Sequence, residues 1–118
     1  MLRKYGFVIA GFAVLLPAAA AGQVITDGES LRQRCATVQL TMPLAGLGCR
    51  GYIGAVVDIL VDGNTVYDHR ACPPPGENRE ILIKVVKAWL DRHPEALKQK
   101  ASVATAQALA EAYPCATQ

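Results

Sequence analysis

The side chains in this sequence that could do covalent or coordination chemistry are few and lie far apart. Four cysteines, Cys35, Cys49, Cys72 and Cys115, and two histidines, His69 and His93, make up the thiol and imidazole set. No two cysteines stand two to four residues apart, the spacing at which zinc knuckles take their ligand pairs, which argues against a four-cysteine metal site. An even number of well-separated cysteines fits two disulfides. His69 lies between Asp68 and Arg70 in the polar crossing Thr65–Arg70 (TVYDHR), where acid/base or metal chemistry would need further convergent groups. His93 directly precedes Pro94, a position suited to capping a helix end. Gly46, Gly48 and Gly51 have the spacing of a dinucleotide-binding fingerprint, but a proline-containing loop precedes them where that motif needs a strand. Asp58 is the one carboxylate in the apolar run Cys49–Leu60 (CRGYIGAVVDIL); the plainest reading is a border residue bonded to a nearby arginine. Metalloprotease, serine-hydrolase and phosphate-loop patterns do not occur. The expectation is a protein that is not an enzyme and uses no metal or cofactor.

The start of the chain sets the compartment. Met1-Leu-Arg-Lys is basic, Phe7 to Leu16 is apolar, and Pro17 to Gly22 is rich in small residues, the three regions of a secretory signal peptide. The apolar run is much shorter than the roughly 20 residues a bilayer span needs. Residues 1–22 are therefore expected to be a signal peptide, and 23–118 a single exported domain without membrane attachment. The whole chain carries 12 Lys plus Arg against 10 Asp plus Glu; without Arg3 and Lys4 the two signs balance. A balanced domain offers no electrostatic case for nucleic acid. At about 96 residues it has a limited core, the situation in which exported domains use disulfides.

The elements that must position these residues read as helices. Thr26-Asp27-Gly28-Glu29 offers a capping oxygen and an acidic first turn, with Leu31, Cys35 and Val38 following at helical spacing. Gln39–Gly48 reads as loop. From Cys49, the positions Tyr52, Ile53, Val56, Val57 and Leu60 predict a second helix, with a strand as the alternative that its β-branched residues allow. Gly51 and Gly54 in that helix suggest a close approach by the alanine-rich segment Ala101–Ala112 and make this second helix the structural centre. Asp62-Gly63-Asn64 is a turn, and Pro73–Gly76 a stiff polyproline stretch. A third helix opens near Glu77–Glu80, with two apolar rows, Ile81, Val85, Ala88/Trp89 and Leu82, Val86, Leu90; Lys84, Lys87 and Asp91 lie outside, and Trp89 is expected in the core. His93-Pro94 stops it. A last helix is predicted over Glu95–Ala112, with Leu97, Ala101, Ala104, Ala108 and Leu109 inward. The fold class is all-α, a small four-helix domain made of two helical hairpins.

Two cysteine pairs can form in three ways, and spacing alone leaves all three open. The hairpin geometry chooses among them. Cys35 and Cys49 sit at the closed end of the first hairpin, and Cys72 and Cys115 at the open end of the second, which predicts Cys35–Cys49 and Cys72–Cys115. By chain entropy these contribute about 3 and about 4 kcal/mol.

A leader peptide, a helix carrying Cys35, the block Cys49–Asp58, the segment Val66-Tyr67…Arg70-Ala71-Cys72-Pro73, the run Val85–Leu90 followed by His93-Pro94-Glu95, and the ending Ala108–Cys115 together resemble the Rap/Tai family of type VI secretion immunity proteins. The likeness runs from about Gly28 to Cys115 and departs from the family pattern at the PPPG tract and at Ala101–Thr105. It implies a small, all-helical periplasmic protein, often a homodimer, that blocks a peptidoglycan amidase effector by stoichiometric occlusion. An acid-stress chaperone of the HdeA-like sort, or another stand-alone periplasmic interaction module, is the alternative. The candidate partner surface is the polar crossing with the third-helix start: Asp62, Asn64, Tyr67, Asp68, His69 and Arg70, a loop held between two disulfide-closed hairpins.

Overall fold

The computed structural model describes residues 24–36 and 47–116, with residues 11 and 13 beyond them. The expected signal peptide over 1–22 is, apart from those two residues, outside the described residues. So are Val38 and residues 39–46 of the expected loop.

Helix α1 spans Gly28–Ala36. Its start is capped as expected: Asp27 Oδ1 accepts from the Ser30 amide at 2.8 Å, and the Ser30 hydroxyl accepts from the Asp27 amide at 3.0 Å. The exchange satisfies donors that a first turn otherwise leaves unpaired. Leu31 and Cys35 are fully buried. Helix α2 spans Leu47–Val61, two residues earlier than predicted. Its β-branched run is helical because Ile53, Val56, Val57 and Leu60 bury one continuous helical stripe, and burial overrides strand propensity. Gly63, at φ +80°, ends it, donating its amide to the Leu60 carbonyl at 3.1 Å.

Helix α3 spans Arg79–Arg92, capped by Asn78, whose side-chain oxygen accepts from the Glu80 amide at 2.8 Å. Only one of the two predicted rows is core. Leu82, Val86 and Leu90 are buried together with Ile83 and Trp89, whereas Ile81 is 44% exposed, Val85 is half-buried and Ala88 is exposed. The buried set follows i, i+1, i+4, i+7, i+8, a single stripe, and the second row falls just beyond its edge. His93 ends the helix as predicted. Its backbone amide donates to Leu90 O at 3.3 Å, and its Nδ1 lies 2.8 Å from Trp89 O. A carbonyl only accepts, so that nitrogen carries the proton. The imidazole also stacks on the Trp89 indole, centroids 4.1 Å apart. Trp89 is in the core, as predicted, and its Nε1 donates to Glu111 Oε2 at 2.6 Å.

The predicted last helix is two elements. A 3-10 helix runs Pro94–Lys98, and α4 begins only at Ala101, running to Ala112. Between them the chain makes an antiparallel bridge to the segment before α1. Gly28 donates to Gln99 O at 2.9 Å and Ala101 donates to Thr26 O at 3.1 Å. Main-chain groups that could have continued the helix are taken by this pairing, and Gln99 is extended.

Helix α4 is the centre of the fold, a correction to the expectation for α2. Ala101, Ala104, Thr105, Ala106, Ala108 and Leu109 are all buried, and α4 touches the three other helices. The buried Thr105 hydroxyl is satisfied by donating to Ala101 O at 2.7 Å. Helices α2 and α4 do pack together, but Gly51 and Gly54 of α2 are not placed as expected. Gly51 faces open space, and the room over Gly54 is filled by the Arg79 guanidinium, which reaches Asp58 Oδ1 at 3.3 Å. Glu80, next in sequence, pairs with Arg50. The close backbone approach belongs to Gly28 instead: a Cβ there would lie 2.5 Å from Ala96 O and 2.9 Å from Leu97 Cα.

Both predicted disulfides are present, Cys35–Cys49 with Cα atoms 5.0 Å apart and Cys72–Cys115 at 4.9 Å. They close the two hairpins. The described residues hold four α-helices and no strand, the all-α class expected from the sequence.

Candidate partner-binding site

The segment joining α2 to α3 begins at Gly63 and is exposed through Thr65. It then folds back on itself in the smallest way a chain allows. Val66 and His69 exchange both main-chain hydrogen bonds, at 3.1 and 3.0 Å. Tyr67 and Asp68, the two residues between, have φ of 47° and 64°. Positive φ at both central positions defines a type I′ turn, whose preferred occupants are Asn and Gly. A tyrosine there is strained, and such strain persists only where the surroundings hold it.

The surroundings are identifiable. Val66 at one end and Ala71 beyond the other are buried, and the Cys72 amide donates to Tyr113 O at 2.8 Å beside the Cys72–Cys115 bond. Lys100 Nζ donates to the Tyr67 hydroxyl at 3.2 Å and stands 5.2 Å from the ring centroid, a cation–π contact. Lys100 is also the residue bridged to Asp27. The tip of the turn is therefore tied to the junction where the last helix breaks.

Of the six residues the sequence singles out, Asp62, Asn64, Tyr67, Asp68 and Arg70 are exposed and His69 is half-buried. Tyr67 and Asp68 form the tip of the turn, His69 closes it, and Arg70 leads into the buried Ala71. Asp62 and Asn64 stand earlier, at the end of α2. Sequence reasoning missed Lys100, which lies 33 residues from Tyr67 and carries no local signal of the contact. The PPPG tract is also more defined than a polyproline stretch. Glu77 donates to Pro74 O at 3.0 Å and Gly76 has φ +76°, a type II turn with Pro75 and Gly76 at its centre. With Val57, Asp58, Val61 and Leu82 it lines a shallow open groove.

Two side chains carry shifted acidities. The hydrogen bond from the Ser30 amide, followed by that from its side chain, holds the Asp27 carboxyl below its ordinary value. Burial pushes the Tyr113 phenol upward, and the Glu77 carboxylate adds to it. Among the described residues no three His, Cys, Asp or Glu side chains gather as metal ligands, and His69 makes no side-chain bond to a carboxylate. No helix among the described residues is long and apolar enough to cross a membrane.

The described residues thus form three α-helices and a 3-10 helix around the alanine-rich α4, with two disulfides and a framed, strained turn. Residues 27–115 match the family model of the Rap1a immunity proteins, and the chain belongs to that family. Comparison with curated proteins and with solved structures finds no match. Membership makes this an immunity-type protein, one whose partner is an effector.

Proposed function

We propose that the protein is exported through its signal peptide to the periplasm and there occludes a peptidoglycan amidase effector of type VI secretion. The observation that carries the reading is the turn at Tyr67–Asp68: backbone strain at an exposed tip, held by Lys100 and the neighbouring disulfide, is what a preorganised recognition loop requires. Asp62, Asn64, Tyr67, Asp68, His69 and Arg70 form the contact surface in this proposal. Occlusion needs shape and charge at that surface and no catalytic residue, so the protein acts as a stoichiometric binder and not as an enzyme. A homodimer is part of the same proposal and is measured by sedimentation.

The test is co-purification with an amidase encoded beside it, together with the peptidoglycan hydrolysis of that amidase. The expected result is a stable complex with hydrolysis lost. Absence of a complex at micromolar concentration rejects the reading. Within a complex, changing Asp68 to Asn, which keeps a residue suited to its positive φ, together with Arg70 to Ala lowers affinity by at least ~10-fold while leaving thermal stability nearly unchanged.

A further inference from the structure

The two disulfides differ in a way their shared role as staples does not require. Cys35 and Cys49 are both 0% exposed and belong to the hydrophobic core. Cys72 is exposed and Cys115 half-buried. The outer bond therefore lies at a residue that a thiolate can approach in the folded protein, whereas the inner one requires the core to open first.

We propose that Cys72–Cys115 is a thiol–disulfide exchange site for dithiol reductants, opened in the native protein ahead of Cys35–Cys49. One thiolate of the dithiol attacks Sγ of Cys72, the more exposed end, forming a mixed disulfide and expelling the Cys115 thiolate, which takes up a proton. The second thiol of the reductant then attacks its own sulfur in that mixed disulfide, closing the oxidised reductant and releasing Cys72 as a thiol. Two electrons pass from the dithiol to the protein pair, and no other reactant is needed.

The position of the bond gives the exchange a consequence. Cys72 lies three residues beyond His69, the closing residue of the strained turn, and Cys115 lies just past the end of α4. With the bond open, this segment keeps the Lys100 contact with Tyr67, the Cys72 amide to Tyr113 carbonyl hydrogen bond and the burial of Val66 and Ala71, but loses its one covalent tie to the end of α4. A turn with two residues at positive φ relaxes when its frame loosens. That this would release a bound effector rests on the function proposed above; the order of reduction does not.

The experiment treats the oxidised, folded protein with dithiothreitol in non-denaturing buffer, quenches with iodoacetamide at intervals, and maps the alkylated cysteines by mass spectrometry. The expected result is a two-thiol species alkylated at Cys72 and Cys115 with Cys35–Cys49 intact, formed at least ~10-fold faster than the four-thiol species. Hydrogen exchange on that species is expected to be faster at the Val66 and His69 amides. Simultaneous opening of both pairs, or Cys35–Cys49 opening first, overturns the proposal. A two-thiol species with unchanged exchange at Val66 and His69 overturns the link to the turn. The variant Cys72→Ser with Cys115→Ser should reproduce the faster exchange; should it not fold, the timed reduction of the unmodified protein decides. Neither readout involves an amidase, so failure of the partner reading is separately visible.

Discussion

Single positions in this protein differ in what one methyl group would meet. At Gly28 a Cβ runs into the Ala96 carbonyl and the Leu97 backbone, atoms that cannot swing away. Gly28→Ala is expected to lower stability by about 1–3 kcal/mol, the usual cost of overfilling a close contact. At Gly54 the obstruction is the end of the Arg79 side chain, which can move. Gly54→Ala gives up an exposed ion pair with Asp58, worth about 0–1 kcal/mol, and recovers up to about 1 kcal/mol of helix propensity. Urea denaturation of the two variants should therefore rank them in opposite order to their proximity to the apolar run. Asp27 supplies a pH signature. Its folded pKa is depressed, so the stability it contributes is present above the unfolded value, near pH 4, and is lost as pH falls through the folded value. Asp27→Asn keeps a capping oxygen without the titration. The stability difference between wild type and this variant should hold from pH 7 to about 5 and shrink below about 4, measured by urea midpoints.

At the scale of elements, the strained turn separates stability from recognition. Replacing Tyr67-Asp68 with Asn-Gly supplies the residues a type I′ turn prefers and is expected to raise stability by about 0.5–1 kcal/mol. The same change removes the exposed ring and carboxylate, so binding of a cognate effector should fall while the melting temperature rises. Both moving downward together would show that Tyr67 holds the fold through Lys100 and not the partner. Helix types and the pairing of the cysteines were legible in the residues, because capping oxygens, a 3.6-residue stripe and hairpin ends are local signals. The break between the 3-10 helix and α4 was not. It is made by main-chain hydrogen bonds, Gly28 donating to Gln99 and Thr26 accepting from Ala101, between segments more than 70 residues apart, and no local side-chain pattern announces them. The exposure of Ile81 has a related reason: both rows on α3 are apolar, and only contacts with neighbouring helices decide which is covered. The polarity of the turn residues and their place between the disulfides are visible in the sequence, but the positive φ at Tyr67 runs against the preference of its own side chain and leaves no local signal.

For the molecule as a whole, the two disulfides together contribute about as much as the entire stability of a small domain, roughly 5–15 kcal/mol. Full reduction is expected to leave a largely unfolded chain at 37 °C, seen as loss of the far-ultraviolet helical signal. Single loss of the outer pair should leave most of it. The bridge between Asp27 and Lys100 has one more consequence. It joins the segment before α1 to the residue that caps α4, so a chain emerging from a ribosome cannot close this part of the fold until Lys100 has arrived. Cys35 and Cys49 stand 14 residues apart and can be oxidised early, whereas Cys72 must wait for a partner 43 residues further along. Assembly in the cell therefore has a direction in time, and the last step, seating α4 and joining Cys72 to Cys115, is also the one that frames the turn.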